Sequence, residues 1–150
     1  MSGASIVAPV PTIDRASPPD PNADAVVTEG LRGHLRPLWG PSGRLDVAWY
    51  LRDDDGRVVG GVVGHIAWGW LYLERVWVAD AWRGRGHGAA LMQAAETFAV
   101  EHHCEGIHLD TFGDDALAFY RRLGYDVWGT LDGLPPGSRK HCLRKSLRSI

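Results

Sequence analysis

The residue types and spacing best suited to chemistry lie in one run, Val76-Trp77-Val78-Ala79-Asp80-Ala81-Trp82-Arg83-Gly84-Arg85-Gly86-His87-Gly88-Ala89. An apolar stretch leads into three alternating glycines and two arginines, and an amphipathic pattern follows at once. The first turn of any helix carries unpaired N–H groups and a partial positive charge. Glycines lack Cβ atoms, so those N–H groups are free to close on a bulky anion. A strand, a glycine loop and a helix in that order make a phosphate cradle. Arg83 and Arg85 add cationic donors suited to phosphate oxygens, and His87 lies in the same loop.

Two phosphate-binding patterns fit these letters. Gly84-x-Gly86-x-x-Ala89 satisfies the dinucleotide fingerprint, and Asp110 ends the next strand at a distance suited to a ribose contact, so a nicotinamide or flavin oxidoreductase is an alternative. That fingerprint normally opens a long series of βαβ units, whereas here it falls past mid-chain with little sequence behind it. A Walker loop is excluded because no Gly-Lys-Ser/Thr follows. The second pattern is Arg83-x-x-Gly86-x-Gly88.

The elements that must position this loop are legible from periodicity. Residues 1–21 hold five of the nine prolines and read as an extended or disordered leader, with one short edge strand around Val10–Arg15. From Asn22, residues Val27, Leu31, His34, Leu35 and Leu38 recur at helical spacing, and Pro37 helps end that helix. Leu45, Val47, Trp49 and Leu51 alternate with polar neighbours as a half-buried strand, and Asp55-Gly56 supplies a tight hairpin turn. Val58–Trp68 is the returning strand, its Gly60, Gly61 and Gly64 pointing to a bulge or close packing. Trp70–Ala79 is a further strand rich in β-branched and aromatic residues. Leu91, Met92, Ala95, Phe98, Ala99 and His102 trace one face of a helix. Then come a strand over Ile107–Thr111, a helix capped by Asp114 and closed by Gly124, a strand from Tyr125 to Leu131 and a last strand over His141–Leu147. The expected fold is therefore one α/β domain over residues 22–150, a mixed sheet flanked by helices.

Composition bounds the function. A chain of 150 residues with 45% apolar and 23% charged residues is long enough for one well-buried domain. A formal charge of -2 argues against a nucleic-acid binder, and no apolar run is long enough to span a bilayer. With no secretory signal and two cysteines, a cytoplasmic protein with reduced thiols is expected. The His102-His103-Cys104 and His108 group lacks a recognised ligand spacing, so no metal site is expected. Asp53-Asp54-Asp55-Gly56 resembles half of a calcium loop without its downstream Glu and reads as a solvated turn.

The Arg83-x-x-Gly86-x-Gly88 loop and the later Phe119-Tyr120-Arg121-Arg122-Leu123-Gly124-Tyr125 segment, correctly ordered and separated by one strand, resemble the GNAT superfamily of N-acetyltransferases. The resemblance implies a mostly antiparallel sheet with a splayed parallel strand pair, and acetyl-CoA as co-substrate. It implies that backbone amides of Arg83, Gly84, Arg85, Gly86, His87, Gly88 and Ala89 hold the pyrophosphate. It also implies that the strand Val76, Trp77, Val78 pairs with the pantetheine arm and presents Trp77 or Val78 to the thioester carbonyl. Tyr120 stands where the family often places its general acid. The acceptor would be a small-molecule or peptide amine, and the resemblance also implies a homodimer through the last strands.

Glu74 is the candidate base, since it interrupts an apolar strand where a buried carboxylate could have a raised pKa. Pairing with Arg75 or another cation is the competing reading, and a water chain is a second route for the proton. A coenzyme A-binding regulatory module without catalysis shares every feature of the loop and differs only in turnover.

Overall fold

The computed structural model describes residues 3–4 and 7–148. It divides into two compact units, residues 1–41 and 42–150. In the first, the backbone of residues 7–16 has no regular structure and is exposed, so the strand expected over Val10–Arg15 does not form; Pro11 removes a ladder donor at its centre. The rest of the expected leader is likewise irregular as far as Asp20, except for residues 1, 2, 5 and 6, which lie outside the described residues. Helix α1 spans Pro21–Trp39. Asp20 caps it by accepting from the Asn22 N–H at 2.9 Å, and Pro21 occupies the first turn, where its missing N–H costs nothing. Pro37 does not end the helix but sits inside its last turn; Gly40, at φ 74°, does so by donating to the Arg36 carbonyl.

The second unit is a six-stranded sheet of β1 (Leu45–Arg52), β2 (Val58–Ala67), β3 (Trp70–Val78), β4 (Gly106–Phe112), β5 (Asp126–Asp132) and β6 (Arg139–Ser146), in the order β1-β2-β3-β4-β6-β5. All pairs are antiparallel except β3 with β4. Helix α2 (His87–Glu101) connects that parallel pair, and α3 (Leu117–Arg122) follows β4. Val62, Leu71, Leu73, Ile107, Leu109 and Leu143 of the sheet form one core with Leu91, Met92, Ala95 and Ala99 of α2. The Asp55-Gly56 hairpin forms as expected, with Asp53 accepting from the Asp55 and Arg57 amides and from Arg57 Nε. No calcium-like arrangement is needed to explain those aspartates. Asp114, expected to cap α3, does not: the helix starts at Leu117 with Ala116 before it.

Two features shape the sheet around the loop. The β3–β4 pairing runs Trp70↔Gly106, Leu71↔Ile107, Tyr72↔His108, Leu73↔Leu109 and stops there, although both strands continue. The β2–β3 register shifts between Val63 and Gly64, so that Val63 faces Arg75 and Gly64 faces Leu73. Glu74 is the extra residue, a β-bulge, and a bulge bends its strand and increases the local twist. From Glu74 onward β3 follows β2 while β4 follows β6, and the two strands part. At Gly64 the bulge brings the Tyr72 carbonyl so close that any Cβ would collide with it. Gly64→Ala is therefore expected to destabilise the protein by about 1–3 kcal/mol, as overpacking against rigid backbone does. Urea unfolding measures it, with Gly30→Ala in α1, where an added Cβ meets nothing, as the contrast that is not destabilised.

Candidate active site

The turn after β3 is built by Arg83. Its Nε donates to the Val78 carbonyl at 2.8 Å and Nη1 lies 2.9 Å from Asp80 Oδ1, strapping a 3-10 turn at Asp80–Trp82 onto the strand end. Gly84 and Gly86 then take φ 72° and 83°, a left-handed geometry that costs a residue with Cβ roughly 1–2 kcal/mol. Gly88 has a different reason. A Cβ there would sit 3.3 Å from the Phe119 ring, so its absence lets α3 approach the start of α2.

The consequence is a row of free donors. Ala90 N–H donates to the Gly86 carbonyl, the first bond of α2. Among the described residues, the six amides before it, Gly84 through Ala89, reach no backbone acceptor, no side chain caps the helix and no acidic residue stands in its first turn. Among the described residues nothing competes for the positive end of this helix.

These amides open into a cleft of about 690 Å³. Its walls are Val76, Trp77 and Val78 of β3, the loop with Trp82, Arg83, Gly84 and Gly86, His87–Ala89 of α2, and Asp115, Ala116, Phe119, Arg122 and Leu123 around α3. Of the ten residues expected to touch a coenzyme, nine line this cleft. The tenth, Arg85, sits with its guanidinium 5.5 Å above the Trp82 ring. Sequence reasoning did not assign Trp82, Asp115, Ala116, Phe119, Arg122 or Leu123 to the coenzyme site. Four of those six, Ala116, Phe119, Arg122 and Leu123, are the first three-residue step and the flank of the Phe119–Gly124 segment, and the i, i+3 spacing of Ala116, Phe119 and Arg122 marks them as one helix face.

The two expected catalytic side chains stand apart from the cleft wall. Tyr120 is 6% exposed in the core, edge-on to Phe119 and Tyr125. Its hydroxyl makes no hydrogen bond, yet no buried side-chain polar atom among the described residues lacks a partner, so that hydroxyl reaches accessible surface. Burial raises its pKa, keeping the phenol protonated through the neutral range. Glu74 is not the buried carboxylate that was expected. The bulge leaves it exposed, its Oε1 2.6 Å from His65 Nδ1 and 3.8 Å from Arg44, with Arg75 3.9 Å from Oε2. This is the ion-paired alternative.

Polar ties fix α3 over the cleft. His141, buried on β6, places Nε2 2.7 Å from Asp114 Oδ1 and Nδ1 2.9 Å from Thr130 Oγ1. That His141 contact, chiefly, holds the Asp114 carboxyl below its usual range. On the neighbouring side Glu96 of α2 accepts from the Tyr125 hydroxyl and from Lys145 Nζ. Burial, then the Glu96 charge, pushes the Tyr125 phenol far upward. The His102, His103, Cys104 and His108 group forms no metal-binding cluster among the described residues.

One parallel pair in an otherwise antiparallel sheet cannot be a dinucleotide-binding doubly wound fold, whose sheet is mostly parallel. A parted parallel pair beneath a glycine-loop helix start is instead the arrangement that the resemblance to the N-acetyltransferases implies. The family model described as "Acetyltransferase (GNAT) family" matches residues 19–125, and the chain belongs to that family. It is 36% identical over 126 residues to an acetyltransferase of Agrobacterium fabrum, covering 84% of this chain and 92% of that one. It is 38% identical over 101 residues to blasticidin-S acetyltransferase of Streptomyces morookaense, covering 67% and 74% of the two chains. A crystal structure from Agrobacterium tumefaciens, assigned as an acetyltransferase, superposes with a TM-score of 0.81 at 34% identity, covering 93% of this chain and all of that one. The protein is an enzyme of the transferase class, and no helix among its described residues is long and apolar enough to cross a membrane.

The unbonded amides give a direct readout. In hydrogen–deuterium exchange of the free protein, residues 84–88 are expected among the fastest-exchanging amides while Leu91 onward is protected. Protection of residues 84–88 in the absence of any ligand would contradict the open donor row.

Proposed function

We propose that this enzyme moves the acetyl group of acetyl-CoA to a primary amine by direct attack on the bound thioester. The carrying observation is the run of six uncommitted amides, Gly84 to Ala89, opening into a cleft of about 690 Å³. A diphosphate needs several converging donors and no competing carboxylate, and this helix start offers both. Arg122 adds a cation at the wall, and Phe119 and Trp82 give an apolar lining for the coenzyme's uncharged parts. The pantetheine amides find partners along Glu74–Val78, where the β3 edge facing β4 has lost its strand neighbour.

Transfer then follows from placement. Fixing thioester and amine within attack distance supplies about 7–11 kcal/mol of a bimolecular barrier. Backbone groups of Trp77 or Val78 polarise the carbonyl, an electrostatic contribution of several kcal/mol in acyl transfer. Only their N–H groups can donate to that carbonyl; the Val78 carbonyl, an acceptor, receives the Arg83 Nε–H instead. The amine nitrogen bonds to the acetyl carbon, the C–S bond breaks, and Tyr120 gives its proton to the departing thiolate. Its reachable, un-bonded and protonated hydroxyl supports that role. A cytoplasmic setting completes the reading, supported by two free thiols at Cys104 and Cys142.

The test is thermal melting with acetyl-CoA, coenzyme A, NAD and FAD, followed by thiol release across primary amines that include blasticidin S, the substrate named for one relative. Both coenzyme A forms are expected to raise the melting temperature, by the equivalent of about 2.7 kcal/mol at 100 times Kd, and the dinucleotides to leave it unchanged. Gly88→Val, which crowds Phe119, is expected to raise the acetyl-CoA KM at least about tenfold, a loss of about 1.4 kcal/mol. Tyr120→Phe is expected to lower kcat by up to about 10²-fold with coenzyme binding intact. Binding without turnover of any amine would leave a coenzyme-sensing module instead.

A further inference from the structure

We infer that His108 is the group that takes the proton from the acceptor amine, working from the sheet face opposite α2. The inference rests on the acetyl-transfer reading above. Successive residues of a strand point to opposite faces. Ile107 and Leu109 enter the core with α2, so His108 and Asp110 face the other way. His108 is paired in register with Tyr72, and only one further pair, Leu73 with Leu109, follows before β3 and β4 part. The imidazole therefore stands at the apex of the opening through which a thioester held from the α2 side would be reached.

Its environment leaves the imidazole open to a proton-transfer role. The ring is half-buried between Trp70, edge-on at 5.9 Å, and Tyr72, tilted 31° at 4.7 Å. The other sheet histidines are committed, His65 to Glu74 and His141 to Asp114 and Thr130. The side-chain hydrogen bonds among the described residues engage His65, His102 and His141 but not His108, and since no buried polar side-chain atom there is left unpaired, its ring nitrogens reach accessible surface. The nearby carboxylates are occupied as well. Asp110 accepts from the Tyr72 hydroxyl at 3.0 Å with Lys140 Nζ at 3.8 Å, and Glu74 is held by His65 and two arginines. Burial, the largest influence, lowers the His108 pKa from its ordinary 6.5; Asp110 opposes this and His65 adds to it. On the neighbouring strand β6, Cys142, Lys140 and Arg144 share this face, Arg144 directly across from His108; Asp126 of β5 lies beyond Arg144, and Asp46 of β1 beyond His65. The imidazole is thus neutral at pH 7 and able to accept.

The step balances. An ionised acceptor first gives one proton to a ring nitrogen of His108, which frees the nitrogen lone pair. As that nitrogen bonds to the acetyl carbon and the C–S bond breaks, its second proton leaves to water, while the thiolate is protonated from Tyr120. Both side chains then re-equilibrate with solvent.

The experiment compares wild type with His108→Gln, using blasticidin S and phenethylamine as acceptors ionised at the assay pH and hydroxylamine as one that is uncharged. In the variant, kcat for the ionised amines is expected to fall about 10²-fold or more, with the acetyl-CoA KM unchanged and a much smaller loss for hydroxylamine. The wild-type kcat profile should fall on the acid side at a pH below 6.5, the ordinary histidine value, and the variant should lose that limb. An equal loss for charged and uncharged amines, or an acid limb that survives the substitution, overturns the assignment. Should the variant not fold, NMR titration of wild-type His108 decides, and a pKa above the ordinary value overturns it. A protein that melts higher with acetyl-CoA yet turns over none of the three also overturns it, whereas no coenzyme-dependent shift at all overturns the function itself.

Discussion

A pleated strand that gains one extra residue cannot stay in register with both neighbours, and this constraint at Glu74 underlies the rest of the site. Because β3 keeps its ladder with β2 through the bulge, the register is lost on the other side, where β4 stays with β6. The sheet remains continuous at Leu73↔Leu109 and opens beyond it. Residues Val76 and Val78 still pack on the core, so the displaced segment is rigid on one face while its outer backbone edge is unpaired. Gly64 makes this possible, since only a residue without Cβ lets β2 follow β3 past the bulge.

The second half of the site is supported from the far end of the chain. Helix α3 has six residues, too few to be stable alone. Leu117 and Tyr120 anchor it in the core, His141 of β6 holds the preceding loop through Asp114, and Lys145 of β6 joins Glu96 and Tyr125 beneath it. The cleft wall formed by Phe119 and Arg122 is therefore positioned by residues some twenty positions later. An exposed ion pair contributes little, but the Glu96–Lys145 contact is mostly shielded and shares its carboxylate with a phenol, which makes it a fixed joint between helix and sheet.

Much of this was legible in the letters. Period-two alternation marked β1 as a strand, β-branched and aromatic residues marked β3, and the Gly84, Gly86, Gly88 spacing located the donor row, because these patterns follow from local backbone geometry. What was not legible depended on partners distant in sequence. Glu74 read as a buried carboxylate because it interrupts an apolar run; nothing local shows that a bulge turns it out toward His65 and Arg44. Asp114 read as a cap because aspartate before an apolar run usually is one, whereas His141, twenty-seven residues later, claims its side chain. Arg83 looked like a phosphate ligand, yet its Nε and one terminal nitrogen first secure Val78 and Asp80. Pro37 read as a terminator, but proline in the last turn of a helix forfeits only one bond that the geometry there still tolerates. His108 was set aside with its histidine neighbours because linear proximity suggested metal ligation, while His102 and His103 stay at the end of α2 and His108 lies within β4.

The alternation along β4 carries one more consequence. Neighbouring positions on a single strand, Ile107 and Leu109 against His108 and Asp110, belong to two chemically separate environments with a sheet between them. Substitutions can therefore change the aromatic and polar surface on one side without disturbing the packing against α2 on the other, a separation that is a property of the pleat itself.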